Sequence, residues 1–186
     1  MKAYTIVLAF AVFSFTKAIN CPTPQNLPVK EIDYQKFLGE WIMLANKPEW
    51  NERCKNITVK NTTNNGNRLH VESFKKQLHF WRKHSIKDYD VVKHLKPTSI
   101  LELKNRSWYS LGTLNLQMIA ADYEQYVVLY NCHKEIFFLS EIVEIWGRRD
   151  LKFSSDRVPK EIRDVLAKFK ISSADLRYRK PEDCWL

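Results

Sequence analysis

Apolar and polar positions alternate in short runs from Gly39 to Ile145. Residues 55–60 put Asn56, Thr58 and Lys60 on one face and Ile57 and Val59 on the other, the period of a half-buried strand. Asn64-Asn65-Gly66-Asn67 follows, a hairpin signal because Asn and Gly tolerate positive φ. Alternation resumes over 68–74, with Leu69, Val71 and Ser73 sharing a face. Further strands are predicted over 39–45, 78–81, 100–103, 114–120, 126–132 and 136–145. Strands this short and this regularly spaced predict an antiparallel sandwich or barrel.

One segment follows a different period. Between Val158 and Phe169 the apolar positions are 158, 162, 165, 166 and 169, which is one face of a helix. Pro159 suits its first turn, and Lys168 and Lys170 suit its last. That face is expected to pack on the domain rather than on a membrane. No internal repeat or low-complexity linker marks a second domain.

The first residues read differently again. Lys2 precedes an almost unbroken apolar run from Ala3 to Phe15, and Thr16-Lys17-Ala18 offers a small-x-small cleavage site. This predicts a secretory signal peptide over 1–18 and a single domain over 19–186. The run is shorter than the ~20 apolar residues of a spanning helix, and no later stretch is longer, so no transmembrane segment is predicted. The expected location is secreted and extracellular. There the four cysteines, Cys21, Cys54, Cys132 and Cys184, are expected to form disulfides. They contain no Cys-x-x-Cys pair, so no structural metal site is predicted. Three pairings remain open. The sequons Asn56-Ile-Thr58, Asn61-Thr-Thr63 and Asn105-Arg-Ser107 become N-glycosylation candidates in that compartment.

The formal net charge is +9, and Lys2 and Lys17 would leave with the leader. The remaining excess predicts an anionic surface or an acidic protein as a secondary partner. Nucleic acid is not predicted, because a secreted protein rarely meets it. Residues 74–84 are basic and aromatic, and a lysine-rich solvated strand edge explains them better than a site for an anion or nucleic acid.

No catalytic constellation stands out. There is no Gly-x-Ser-x-Gly, no His-Glu-x-x-His, no phosphate-cradling glycine loop and no EF-hand. Among the five histidines, His79 and His84 stand five apart, a poor spacing for shared ligation. No enzyme activity, metal or cofactor is predicted. The chain does hold six Trp, eight Tyr and ten Phe, which suits a large apolar core or a cavity. A barrel of about eight strands is just wide enough for one small ligand.

Three short motifs narrow the fold. Gly39-Glu40-Trp41 resembles the Gly-x-Trp motif of the lipocalins, at the entry to the first strand. Ala121-Asp122-Tyr123 resembles their Thr-Asp-Tyr motif, with alanine in place of threonine. Trp146-Gly147-Arg148-Arg149-Asp150 resembles their third motif, in which an arginine closes the last barrel strand. All three occur in order, with the predicted helix after the third. The resemblance covers nearly all of the chain after the leader. It implies an all-β, eight-stranded up-and-down antiparallel barrel with a C-terminal α-helix packed on its outside. Gly39, Trp41, Asp122, Tyr123 and Arg148 would form the barrel floor. Either Arg148 or Arg149 fits the arginine position; Arg148 is preferred. Asn51-Glu52-Arg53-Cys54 and the turn Asn65-Gly66 resemble the apolipoprotein D and insect bilin-binding branch. That likeness implies the disulfides Cys21–Cys132 and Cys54–Cys184. The proline-rich stretch usual after the third motif is absent.

Under the same resemblance Cys132 points outward, because Cys21 precedes the first strand. Val127, Leu129 and Asn131 then point in, and Tyr126, Val128 and Tyr130 point out. Trp41 and Met43 face inward on the first strand. Counting back from Arg148 turns Trp146, Glu144 and Ile142 inward, and the second motif does the same for Leu116 and Met118. The expected cavity is thus Met43, Leu116, Met118, Val127, Leu129, Asn131, Ile142, Glu144 and Trp146. The implied function is a secreted carrier of a small hydrophobic ligand: a lipid, sterol, retinoid, pigment or pheromone. Two alternatives stand beside it. One is a haem or tetrapyrrole binder, with His133 as the histidine in phase. The other is a protein-interaction module using its basic outer face. With all four cysteines assigned to bridges, no cavity thiol is left for isomerase chemistry.

Overall fold

The computed structural model describes residues 20–22, 24, 26–47, 52–62, 66–77, 81–92, 98–106, 113–134, 139–149, 151, 153–154 and 156–179. The expected leader, turn residues 64–65, Ser107 and Cys184 lie outside them. Eight strands follow in chain order, each antiparallel to the next: β1 (Gly39–Lys47), β2 (Glu52–Asn61), β3 (Asn67–Gln77), β4 (Trp81–Val92), β5 (Ile100–Asn105), β6 (Thr113–Asp122), β7 (Tyr126–Lys134) and β8 (Leu139–Gly147). β8 pairs back onto β1, and β1 pairs with β2, so the sheet closes into an up-and-down barrel. Closure removes the exposed strand edges that an open sheet would leave.

β1 is shared unevenly. Gly39 to Ile42 pair with β2. Beyond a bulge between Met43 and Ala45, Asn46 and Lys47 continue against β8. On the other edge, Ala45 and Asn46 take β9 (Arg177–Tyr178) in place of β2.

The alternation sorts side chains into two cores. The inner one packs Trp41, Met43, Ile57, Leu69, Leu116 and Leu129, with their neighbours, inside the barrel. The outer one packs Ile119, Val128, Tyr130, Val143 and Ile145 against α2 (Lys160–Lys168). Val158, Ile162, Val165, Leu166 and Phe169 are all buried there, at roughly 1.5–3 kcal/mol for each fully covered apolar side chain. The helix ends at Lys168, two residues before the Lys170 that its charge pattern places in the last turn. Lys170 lies beyond it at φ 60°, where Lys170 N–H donates to Ala167 O and Ile171 N–H to Leu166 O. This is a Schellman cap with lysine in the place glycine usually takes.

Of the predicted strand over 78–81, residues 78–80 lie outside the described residues; Trp81 opens β4, which continues to Val92. Residues 74–77 and 81–84 pair with each other at the end of the β3–β4 hairpin, and the described pairing of β4 with β5 runs from Tyr89 to Val92. A four-residue helix, α1 (Tyr34–Phe37), has no counterpart among the predicted elements. The Asp33 carboxylate accepts from the N–H groups of Gln35 and Lys36, a standard way to satisfy helix-start donors.

Candidate functional site

One end of the barrel is sealed by packed rings. α1 drives Phe37 into it, fully buried. The Phe37 ring lies 5.8 Å from Trp41 and stacks on Trp146 at 6.2 Å. Trp41 Nε1 donates to Phe37 O at 2.9 Å. Arg148 covers Trp41, its guanidinium carbon 3.7 Å from the ring centroid, in cation–π geometry. Its Nε donates to Tyr123 O at 3.0 Å, Nη1 to Leu38 O at 3.3 Å and Glu40 O at 3.1 Å, and Nη2 to Lys36 O at 3.2 Å. One side chain thus ties α1, the start of β1 and the β6–β7 turn together. Burial lowers the guanidinium pKa and Glu124 opposes that, but arginine stays charged. Arg149 instead reaches outward to Glu40 at 3.4 Å.

Gly39 has φ +106°, and a Cβ there would sit 3.0 Å from Arg148 Nη1. Both the backbone and the arginine therefore require glycine. Tyr123 OH accepts from Asp33 N–H at 2.9 Å, and burial raises its phenol pKa. The Asp122 carboxylate accepts from Glu124 N–H at 3.2 Å, and its carbonyl from Gln125 N–H at 2.8 Å. That turns β6 into β7. Gly39, Trp41, Asp122, Tyr123 and Arg148 are joined by packing and backbone hydrogen bonds, which is architectural work.

Toward the other end lies a cavity of about 70 Å³, open to solvent. Leu69, Val71, Leu103, Leu116, Ile142 and Trp146 form most of its apolar wall. Lys55, Ser73, Lys87, Tyr89 and Glu144 supply its polar groups. Lys55 Nζ meets Glu144 Oε1 at 2.5 Å, with side chains only 14% and 13% exposed. Trp146 Nε1 donates to Glu144 Oε2 at 2.8 Å. Both carboxylate oxygens therefore have partners, as a buried carboxylate requires.

Of the residues expected in the cavity, Leu116, Ile142, Glu144 and Trp146 line it. Met43, Met118, Val127 and Leu129 are packed deeper in the inner core, at most 3% exposed, and are not among its lining. Asn131 is half-buried; its Nδ2 donates to Asn115 O, and its Oδ1 lies 3.3 Å from His133 Nδ1. Neither Asn131 nor His133 lines this cavity. Sequence reasoning missed the apolar Leu69, Val71, Leu103 and Leu114, and the polar-group residues Lys55, Ser73, Lys87 and Tyr89. The phase was available for two of the polar ones: Lys55 shares a face with Ile57 and Val59, and Ser73 with Leu69 and Val71.

Cys21 is joined to Cys132, with Cα atoms 5.7 Å apart. Cys54 is also disulfide-bonded; its expected partner Cys184 lies outside the described residues. Asn61 is exposed at the end of β2, whereas Asn56 and Asn105 are half-buried in their strands.

A closed barrel of eight sequentially paired strands, floored by a Gly-x-Trp and an arginine and flanked by one helix, is the lipocalin fold, and this chain has it. Three solved structures place the likeness. Insecticyanin from the tobacco hornworm Manduca sexta is 17% identical, with 87% of this chain and 86% of that one covered and a TM-score of 0.66. The cockroach major allergen Per a 4 is 16% identical, with 87% and 94% covered and a TM-score of 0.65. The amine binding protein of Rhodnius prolixus, solved as its tryptamine complex, is 15% identical, with 90% of each chain covered and a TM-score of 0.65. No protein-family model matches the chain, and no curated protein matches it by sequence.

Proposed function

We propose that this protein is a secreted lipocalin that carries a small hydrophobic ligand in its barrel, without chemical conversion. The observation behind this is the cavity itself: an apolar wall, open at one end and floored by packed rings at the other. A few polar groups in an apolar concavity are the usual recipe for a small-molecule site. A buried ion pair adds little net stability over apolar packing, so Lys55–Glu144 is better understood as ligand recognition than as reinforcement. The Rhodnius amine binding protein, solved as its tryptamine complex, supports the reading by analogy. Secretion is supported by the disulfides. Among the described residues no helix is long and apolar enough to cross a membrane.

At about 70 Å³, the cavity has room for only a few water molecules. A larger ligand has to push back the rim, where Lys87 and Leu114 are exposed. The haem alternative has less support: His133 is exposed, and no histidine is among the described residues lining the cavity.

The test uses Trp146, which is in the wall. Titration with retinol, cholesterol, palmitate, biliverdin and tryptamine should give saturable change in tryptophan fluorescence for at least one. Leu116→Trp, which fills the cavity, should abolish that ligand's binding while leaving the far-ultraviolet circular dichroism unchanged. No saturable binding across the panel would overturn the carrier reading.

A further inference from the structure

The polar groups of the cavity wall differ in what they already hold. Glu144 meets Lys55 on one oxygen and the Trp146 N–H on the other. Lys87 and Tyr89 are engaged as well. Ser73 is different. It lines the cavity and is only 3% exposed, yet among the described residues its hydroxyl makes no hydrogen bond. A hydroxyl withdrawn from bulk water without a partner is costly, and buried polar groups in native proteins are normally satisfied. In a cavity wall, the partner is whatever enters the cavity.

The register shows where an entering molecule meets this hydroxyl. Leu69 lies opposite Val59, which lies opposite Gly39 at the floor. Ser73 lies four residues further along β3, opposite Lys55, about 13 Å closer to the open end by the rise of a strand. The wall is therefore apolar below, with Leu69, Leu103, Leu116 and Trp146, and polar at the level of Ser73. The charges at that level disfavour a charged head group. Lys55 and Glu144 are joined at 2.5 Å and little exposed. A cation would have to displace Lys55 from Glu144. An anion would have to take Lys55 from Glu144, or Lys87 from the partner it already has. Opening the Lys55–Glu144 pair leaves one of its charges buried and uncompensated, which is strongly unfavourable. A neutral hydroxyl or carbonyl leaves the pair closed.

We propose that the cavity takes a neutral amphiphile, an apolar body carrying a hydroxyl or carbonyl group, and that the Ser73 hydroxyl holds its polar end. A serine hydroxyl can donate to a carbonyl or accept from a hydroxyl, so it suits either. The proposal rests on the reading of the barrel as a ligand carrier and adds the chemical class of the ligand, which the fold alone does not specify. The Lys55–Glu144 pair then takes part in recognition by staying closed.

Three ligands of equal chain length, 1-octanol, octanoate and octylammonium, test this by isothermal titration calorimetry on the intact chain near neutral pH. Octanol should bind roughly tenfold or more tighter than either ion. Ser73→Ala should weaken octanol about threefold to tenfold and leave both ions unchanged. The ligand-free variant should melt no lower than the parent, because alanine removes a hydroxyl that has no partner. Saturable binding in which either ion equals or exceeds octanol overturns the neutral-ligand assignment while the carrier reading stands. Undiminished octanol binding by Ser73→Ala, or weakening that comes only with a lowered melting temperature, overturns the role of Ser73. No saturable heat from any of the three overturns the carrier reading, and this proposal with it.

Discussion

Arg148→Met tests the idea that one arginine clamps the closed end of the barrel. Two of the arginine's hydrogen bonds, to Tyr123 O and Leu38 O, are partly buried, and two, to Glu40 O and Lys36 O, are exposed. After truncation water replaces the exposed pair at almost no cost. Each partly buried bond contributes about 1 kcal/mol net. The contact over Trp41 at 3.7 Å adds about 1 kcal/mol at a half-exposed site. The expected loss is therefore about 3 kcal/mol, read from urea denaturation followed by tryptophan emission. Unchanged dependence on denaturant would show that the transition remains comparable. Arg148→Lys keeps a cation near the indole but loses the planar fork, and should recover about 1 kcal/mol of the loss. A loss under about 1 kcal/mol for Arg148→Met would refute the clamp. A lysine variant as stable as the parent would show that the fork geometry does not matter.

Other perturbations follow from the same geometry. Gly39→Ala places a Cβ at φ +106° and 3.0 Å from Arg148 Nη1, and should cost roughly 1–3 kcal/mol in the same assay. Lys170→Gly removes a non-glycine residue from φ 60° and should raise stability by about 1 kcal/mol, seen as a higher melting temperature. Replacing Cys21 and Cys132 together by serine opens a loop with a sequence separation of 111, and should cost roughly 2–4 kcal/mol. Burial raises the phenol pKa of Tyr34, Tyr123, Tyr126, Tyr130 and Tyr178 above the ordinary 10.0. Above pH 10 the unfolded chain loses protons that the folded one keeps, so stability present at neutral pH should fall as pH rises through that range. Phenolate absorbance should then rise together with unfolding; full ionisation near pH 10 with the fold intact would contradict this.

Much of the architecture was legible because a barrel wall with one apolar face writes itself into the chain as alternation. β2 and β3 announced themselves through Ile57, Val59, Leu69 and Val71. α2 did so through five apolar positions that are all buried in the outer core. β4 stayed hidden because its pattern is inverted. Lys87 and Tyr89 line the cavity, while Ile86 on the opposite face is 55% exposed. Locally this resembles a solvated loop, and such breaks in pattern are expected where a site is built. α1 was also hidden. Four residues carry no period, and the helix is held by the Asp33 cap and by Phe37 packed on nearby Trp41 and on Trp146 from far along the chain.

By itself the sequence determined the strand phases, the outer helix and the order of the three floor motifs, because each depends on residues close in the chain. Tertiary structure decided the depth of each inward side chain. Met118 and Leu129 share a phase with Leu116, yet they are packed below the cavity while Leu116 lines it. It also decided that Lys55, whose phase points it inward on β2, meets Glu144 of β8 there. Period fixes which face a side chain takes; only closure of the barrel fixes what that face meets.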